Sequence, residues 1–238
     1  MRYRAFATDY DGTIAHDGIV DEATLEALRR LRAAGVKILL VTGRELTSLF
    51  NTFTQAEVFD QIVAENGAVV YVPATGSVQV LGSPPPPAFL EMLQRAEVPL
   101  WIGHSIVATV TPHEREVLQA IGELQLDWHV IFNKEAVMAL PSNVTKATGL
   151  RAALQALNVL AEETVGVGDA ENDHAFLQLS GISVAVDNAL DEVKDFADVV
   201  TTGARGTGVR ELIDRLLSGE LDAIEPDANK HLPTTSRS

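Results

Sequence analysis

The chain has 238 residues, 46% of them hydrophobic, and a formal net charge of −15 at pH 7. This length supports one large domain, or a domain with a smaller insert, around a packed core. The acidic excess disfavours nucleic acid and membrane surfaces as partners, because both are bound by clustered Lys and Arg. The sequence lacks cysteine, which excludes disulfides, thiol catalysis and cysteine-ligated zinc and is compatible with a cytoplasmic location.

The N-terminal segment MRYRAFATDYDG has only a short apolar run, which does not resemble a signal peptide. No apolar stretch elsewhere in the sequence reaches the length needed to span a bilayer. We therefore expect a soluble, cytoplasmic protein without a membrane partner. The sequence leaves its oligomeric state open.

The first third of the chain alternates between strands and helices. YRAFATD has strand length, and the helix predicted in VDEATLEALRRLRAAGV has Asp21 as a plausible N-cap and Leu25, Leu28 and Leu31 at helical spacing. The alternation continues with strand VKILLVTG, helix RELTSLFNTF and strand QIVAENG. Nearly continuous apolar strands separated by helices indicate a parallel sheet that is covered on both faces.

The pattern changes in the middle of the chain. GAVVYVPATGSVQVLGS is typical of a hairpin, and SPPPP at residues 83–87 interrupts regular structure. A helix followed by two strands then occurs twice, before strand and helix alternate again. We therefore predict an α/β protein with a Rossmann-like parallel-sheet core at 1–82 and 143–217. An inserted α+β unit would occupy 83–142, and 218–238 would form a flexible tail or linker.

Polar residues stand where the predicted core strands end. Ligands of open parallel sheets bind at the carboxyl ends of the strands, so we expect these side chains to meet in one crevice. Lys146 precedes the helix that leads back into the sheet after the insert. The residues at the strand ends are Asp9, Asp11, Gly12, Thr42, Gly43, Arg44, Asn66, Asp169, Asn172 and Asp173.

Several carboxylates in one crevice repel each other unless a hard cation lies among them, and an oxygen donor set suits Mg²⁺ better than Zn²⁺. Such a metal would also neutralise a phosphate. One aspartate could attack phosphorus while its neighbour two positions along transfers the proton. Gly12 and Gly43 would let backbone N–H groups approach the phosphate oxygens.

Four segments in this order resemble the motifs of the haloacid dehalogenase superfamily of phosphatases, and the resemblance extends along almost the whole chain. The segments are DYDGT at 9–13, VTGR at 41–44, TK at 145–146 and GDAEND at 168–173. The insert and the segment ENGA at 65–68 are similar to the Cof-type (IIB) branch with the smallest α/β cap.

The resemblance implies roles for Lys146 and for the residues at the strand ends other than Asn66. Asp9 would be the nucleophile and Asp11 the general acid and base, with Thr42 and Lys146 as stabilisers. Asp9, the Asp11 backbone carbonyl and Asp169 would hold Mg²⁺, supported by Asp173. Gly12, Gly43, Arg44 and Asn172 are expected to bind substrate, although Arg44 could instead pair with an acid.

The implied activity is Mg²⁺-dependent hydrolysis of a small phosphorylated metabolite through an aspartyl-phosphate. Phosphoglycolate and sugar phosphates are the implied substrate class. Arg95, Arg115 and Lys134 are the basic candidates for a second anionic group of the substrate. Two alternatives stay open at this point: a phosphomutase of the same branch and a non-catalytic phosphate-binding or regulatory module.

Overall fold

The computed structural model describes residues 2–133 and 135–227. Eight strands form the larger sheet, in the order β12-β11-β10-β1-β2-β3-β4-β5. All neighbours from β12 to β3 are parallel, and β4 and β5 are added as antiparallel strands. The predicted α/β fold with a parallel core is confirmed. The bounds are β1 Ala5–Thr8, β2 Lys37–Val41, β3 Gln61–Ala64, β4 Val69–Val72, β5 Ser77–Val80, β10 Thr164–Gly168, β11 Ile182–Ala185 and β12 Val199–Val200.

Strand β1 lies in the middle of this sheet, between β10 and β2. Its last residue, Thr8, pairs with Val167 of β10 and with Leu40 of β2. Every residue of β1 is buried, which explains why its apolar run is unbroken. Because these strands are parallel and in register, the polar residues that follow them come out at the same edge of the sheet.

The helices that accompany the larger sheet bury one face each. Helix α1 begins after Asp21, whose Oδ1 accepts a hydrogen bond from the Thr24 amide at 2.7 Å. The side chains of Leu25, Leu28 and Leu31 are buried, as their spacing predicts. The bounds are α1 Glu22–Ala33, α2 Leu46–Thr52, α5 Lys146–Leu157, α6 His174–Leu179, α7 Asp191–Phe196 and α8 Arg205–Leu217.

The insert forms a second sheet of four antiparallel strands, in the order β6-β7-β9-β8, with helices α3 and α4. It has its own hydrophobic cluster, which includes Phe89, Val107 and Val137. We call residues 83–142 the cap; its division from the core at these residues stays a prediction. The bounds are α3 Pro87–Arg95, β6 Trp101–Ile102, β7 Val107–Val110, α4 Glu114–Glu123, β8 Trp128–Asn133 and β9 Ala136–Pro141.

The segment predicted as a tail needs a correction. Glu220–Ala223 form a 3-10 turn, and Leu221 is completely buried in the core cluster. The Arg2 amide also donates to Asp222 at 2.9 Å, which ties the turn to the N-terminal segment. Ile224, directly after the turn, also packs against the core cluster, so two apolar side chains anchor this segment. The rest of the predicted tail, 228–238, lies outside the described residues.

None of the helices in 2–133 and 135–227 is long and apolar enough to cross a bilayer.

Candidate active site

One cavity of about 470 Å³ opens where the carboxyl edge of the larger sheet faces the cap. Several of the residues predicted at the strand ends line it together, namely Asp9, Asp11, Thr42, Gly43, Arg44 and Asn172. Cap residues close the other side, among them Trp101, Gly103, Ile106, Ala108, Val110, Asn133, Ala136 and Met138. Core and cap therefore share the walls of one chamber.

Lys146, the first residue of α5, has a buried side chain that contacts Asp9 in the wall of this cavity. Its Nζ donates to Asp9 Oδ1 at 2.6 Å and to Asp173 Oδ1 at 2.6 Å. Burial by itself would lower the pKa of Lys146, but the charges of Asp173 and Asp9 outweigh it and raise that pKa. Lys146 is therefore a permanent cation between two carboxylates.

The surroundings disfavour the charged form of the Asp9 carboxyl group, whereas they favour the charged form of Lys146. Burial and the neighbouring carboxylate of Asp173 raise the pKa of Asp9 well above its ordinary value, and Lys146 offsets only part of this effect. A cation beside Asp9 would favour its charged form. The chain therefore places an acid at the end of β1 where its charge needs compensation.

Asp173 fixes the turn that follows β10. Besides its contact with Lys146, it accepts hydrogen bonds through Oδ2 from the amides of Asp169 at 2.9 Å and Ala170 at 3.0 Å. The strand ends at Gly168, where a Cβ atom would lie 2.6 Å from Asp173 Oδ2. Asp173 is completely buried, so it holds the turn and Lys146 in place.

Asp9, Asp169 and Asp173 form a group that could hold a metal ion, since each offers a carboxylate oxygen within 4.8 Å of the others. The Thr13 hydroxyl donates to Asp169 Oδ1 at 2.8 Å and orients that carboxylate. The donors are all oxygen atoms, which is the set that Mg²⁺ prefers. Lys146 supplies one positive charge against the three carboxylates, which leaves negative charge for a divalent cation to balance. The residues present therefore fit such a cation.

Asp11 points towards Arg44 rather than towards this group. Arg44 Nε donates to Asp11 Oδ2 at 2.6 Å and Nη2 donates to Oδ1 at 2.7 Å, while Nη1 donates to Thr52. The Thr42 hydroxyl accepts from the Arg44 amide at 3.1 Å. The sequence left open whether Arg44 binds substrate or pairs with an acid. In the structure it pairs with Asp11, and it also lines the cavity.

Two asparagines to which the sequence assigns no role contact residues of the predicted site. Asn66 adopts φ 51° after β3, and its Oδ1 accepts from Asn172 Nδ2 at 3.1 Å. Asn188 donates to the Gly12 carbonyl at 2.8 Å and accepts from the Arg205 amide at 2.7 Å. The sequence places Asn66 among the polar residues at the strand ends without a role, whereas nothing near Asn188 in the sequence marks it.

The cap wall of the cavity is mostly apolar. Antiparallel pairing places Trp101 opposite Ala108, and Asn133 opposite Ala136, so these side chains share a face of the cap sheet. The basic candidates for a second anionic group do not reach this wall where the structure describes them. Arg95 is exposed on α3 and pairs with Glu91, Arg115 is exposed on α4, and Lys134 lies outside the described residues.

A family model described as haloacid dehalogenase-like hydrolase matches residues 6–81 and 109–213. Among curated relatives, a phosphoglycolate phosphatase of Methanothermobacter thermautotrophicus is 30% identical over 224 residues, which cover 90% of this chain and 99% of that protein. Phosphoglycolate phosphatase 1 of Saccharolobus solfataricus is 29% identical over 228 residues, with 91% and 97% covered.

Solved structures share the fold. A haloacid dehalogenase-like hydrolase from Bacteroides thetaiotaomicron has a TM-score of 0.76 at 19% identity and covers 90% of this chain and 99% of its own. A subclass IIB sugar phosphatase of the same superfamily has a TM-score of 0.75 at 20% identity, with 90% and 98% covered. These similarities extend through both the larger sheet and the cap.

Proposed function

The chain belongs to the family of haloacid dehalogenase-like hydrolases, and we propose that it is a Mg²⁺-dependent phosphatase that hydrolyses a small phosphomonoester through an aspartyl-phosphate on Asp9. One observation carries the proposal. The Asp9 carboxylate lies at the end of the central strand, in the wall of the cavity and 2.6 Å from the buried Nζ of Lys146. This arrangement gives a nucleophile a fixed position and a nearby positive charge.

In the first step an Asp9 oxygen attacks phosphorus and the bond between phosphorus and the ester oxygen breaks. Asp11, in its protonated form, gives its proton to the departing alkoxide. The two side chains lie on one short loop and line the same cavity, which supports a division of work between them. One Asp11 oxygen must exchange its contact with Arg44 for the leaving oxygen, because both carboxylate oxygens accept hydrogen bonds from the Arg44 guanidinium.

In the second step the charged Asp11 takes a proton from water, and the resulting hydroxide attacks phosphorus. The bond between phosphorus and Asp9 then breaks, which releases inorganic phosphate and restores both carboxyl groups. Asp11 thus acts first as an acid and then as a base.

Groups around Asp9 stabilise the phosphoryl oxygens in this scheme. Lys146 contributes a permanent charge, and Thr42 and Asn172 contribute hydrogen bonds from the cavity wall. Gly12 and Gly43 let the backbone come close to the oxygens. Asp9, the Asp11 backbone carbonyl and Asp169 would hold Mg²⁺, with Asp173 in support. When bound, that metal neutralises charge on the phosphoryl group.

The substrates that we propose are phosphoglycolate and sugar phosphates. We rank phosphoglycolate first among these substrates, because the relatives that match along almost their whole length are named phosphoglycolate phosphatases. The cavity of about 470 Å³ has room for either compound. Asn133 supplies a polar side chain from the cap wall, and Arg44 supplies a cation from the core.

The described cavity lining favours hydrolysis over phosphomutase activity. A mutase binds two phosphates and needs cations on the cap side, and among the described cap residues no Lys or Arg lines the cavity. A purely binding module would need no aspartate pair at 9 and 11. We therefore keep the hydrolase as the single proposal.

The test is phosphate release from a panel of phosphoglycolate, glucose 6-phosphate, mannose 6-phosphate and sucrose 6-phosphate, in Mg²⁺ or in EDTA. We expect release that requires Mg²⁺ and that falls to background in Asp9→Asn. Glu211→Gln, which changes an acid of the α8 surface, is the matched control and should keep full activity. Release that persists in Asp9→Asn, or in EDTA, would contradict the proposal.

A further inference from the structure

Glu65 is a buried acid that the scheme above does not use. It follows β3, adopts φ 52° and is completely shielded from solvent. A positive φ is uncommon for glutamate, and a buried carboxylate is costly unless its oxygens are hydrogen-bonded. A residue with an unfavourable backbone conformation and a buried charge persists only where its surroundings stabilise it. The partners of Glu65 therefore indicate its role.

Within 2–133 and 135–227, the hydrogen bonds to the Glu65 carboxylate come from one loop of the cap, between β6 and β7. Oε1 accepts from the His104 amide at 2.9 Å and contacts His104 Nδ1 at 3.0 Å. Oε2 accepts from the amides of Ser105 at 3.0 Å and Ile106 at 3.3 Å. A core carboxylate thus collects three successive backbone N–H groups of the cap, which is a strong, charge-assisted arrangement.

The loop is shaped to receive this carboxylate. At Gly103 a Cβ atom would lie 2.6 Å from Glu65 Cδ and 2.7 Å from both oxygens, so only glycine allows the approach. Beside it, the buried Ser105 packs against Gly82, where a Cβ atom would lie 2.7 Å from Ser105 Oγ. The fit is therefore steric as well as electrostatic.

The same loop forms part of the active-site wall. Gly103 and Ile106 line the cavity, and so does Trp101 on the preceding strand. Any shift of residues 103–106 away from the core would move this wall relative to Asp9. The position of the loop therefore sets the space available to the leaving group.

We propose that Glu65 is a positioning residue that docks the cap loop 103–106 onto the core and thereby shapes the substrate side of the cavity. It does not touch the reacting atoms. The kinetic part of this inference rests on the proposed phosphatase activity, whereas the docking part does not. Loss of docking should weaken turnover of substrates that the cap must recognise more than turnover of a small activated phosphate donor.

The docking is tested by hydrogen exchange, which is independent of catalysis. In Glu65→Gln one acceptor oxygen becomes an NH₂ group that faces amide donors, and we expect the amides of His104, Ser105 and Ile106 to exchange at least about tenfold faster. Gly103→Ala disrupts the same contact from the cap side and serves if Glu65→Gln does not fold. Glu211→Gln is the matched control, because Glu211 also accepts from consecutive amides, those of Thr202 and Gly203 in the core loop after β12.

The kinetic arm compares acetyl phosphate with the panel compound of highest kcat/KM. In Glu65→Gln we expect kcat/KM to fall about tenfold or more for that compound and less than about threefold for acetyl phosphate, with wild-type values in Glu211→Gln.

Unchanged exchange at 104–106 in both Glu65→Gln and Gly103→Ala would overturn the docking. Faster exchange with equal losses for both substrates would overturn the role in shaping the cavity. If wild type hydrolyses none of these compounds, the proposed function has failed, and amide hydrogen exchange alone tests the docking of the cap loop.

Discussion

The guanidinium of Arg44 holds both carboxylate oxygens of Asp11, at 2.6 Å and 2.7 Å. Arg44 itself is anchored by Thr52 on α2 and lies over the Tyr10 ring, with its Cζ 5.2 Å from the ring centroid. The residue proposed as acid and base is therefore oriented by a residue that follows the neighbouring strand. Thr52 of α2 and Arg44, which follows β2, thus bear on the chemistry of the loop after β1.

This pair predicts a catalytic effect for Arg44. We expect Arg44→Ala to lower kcat/KM about tenfold or more, a part of the roughly 10²–10⁴ that general acid–base catalysis contributes, because Asp11 loses its fixed orientation. The kcat/KM of Arg44→Lys should lie between the values of wild type and Arg44→Ala, since Lys keeps the charge but cannot make the bidentate contact. Steady-state phosphate release measures this effect, with Arg29→Ala as control because Arg29 pairs with Glu22 on the exposed face of α1. Equal losses in Arg44→Ala and Arg29→Ala would contradict the role.

Lys146→Met should destabilise the protein strongly in EDTA at pH 7. The substitution leaves Asp9 and Asp173 as uncompensated buried carboxylates, and breaking a buried pair in this way costs about 3–5 kcal/mol. Added Mg²⁺ should recover part of the loss, because a divalent cation supplies the missing charge.

Urea denaturation in EDTA and in Mg²⁺ measures both effects. The control is Lys37→Met, because the Lys37 side chain is exposed and its contact with Asp60 at 3.3 Å contributes at most about 1 kcal/mol. If the two variants lost the same free energy of unfolding in EDTA, Lys146 would not be the compensating charge.

Two glycines with nearly the same backbone conformation should respond differently to alanine. Gly12 has φ 91°, and a Cβ atom there would lie 2.2 Å from Asp169 Oδ2, whereas Gly35 has φ 89° and nothing within 4 Å. Both substitutions carry backbone strain of about 1–3 kcal/mol. Gly12→Ala should also displace the Asp169 carboxylate and remove Mg²⁺ binding, measured by titration calorimetry, while Gly35→Ala keeps it. Equal Mg²⁺ affinity in the two variants would refute this account of the Gly12 loop.

Asp21 makes a pH-dependent contribution to stability. Burial alone would raise the pKa of Asp21, but hydrogen bonds from Thr24 and the charge of Arg210 outweigh it and lower that pKa. A depressed folded-state pKa stabilises the protein above the unfolded value of about 3.9, and this contribution is lost as the pH falls further. Asp21→Ala should therefore cost about 1 kcal/mol at pH 7 and less at pH 3, as urea denaturation can measure. A cost that is the same at both pH values would argue against the depressed pKa.

Much of the fold could be predicted because its strands and helices follow simple periodicities. The unbroken apolar run of β1 and the leucine spacing of α1 predicted a buried parallel strand and an amphipathic helix, and both are present. The membership in the haloacid dehalogenase superfamily that the four segments predicted is confirmed by the family model and the relatives. The roles of the individual site residues, the cytoplasmic location and the domain boundaries stay predictions.

The sequence could not predict contacts that join distant segments. Asn188 reaches the Gly12 carbonyl across 176 positions, and Glu65 receives its hydrogen bonds from a loop of the cap. Neither contact leaves a local pattern, because each depends on how the folded elements pack. The buried Leu221 was missed for a related reason, since the short segment with Leu221 and Ile224 is too brief to show a periodicity.

The most direct test of the central claim is detection of the phosphorylated residue. In Asp11→Asn, where water activation is slowed, the protein is mixed with Mg²⁺ and acetyl phosphate, quenched in acid and treated with borohydride, which reduces an aspartyl-phosphate to homoserine. Peptide mass spectrometry then locates the modified position. The account predicts homoserine at position 9 and none in Asp9→Asn. Phosphate turnover in wild type without modification at position 9, or with the label on another residue, would contradict it.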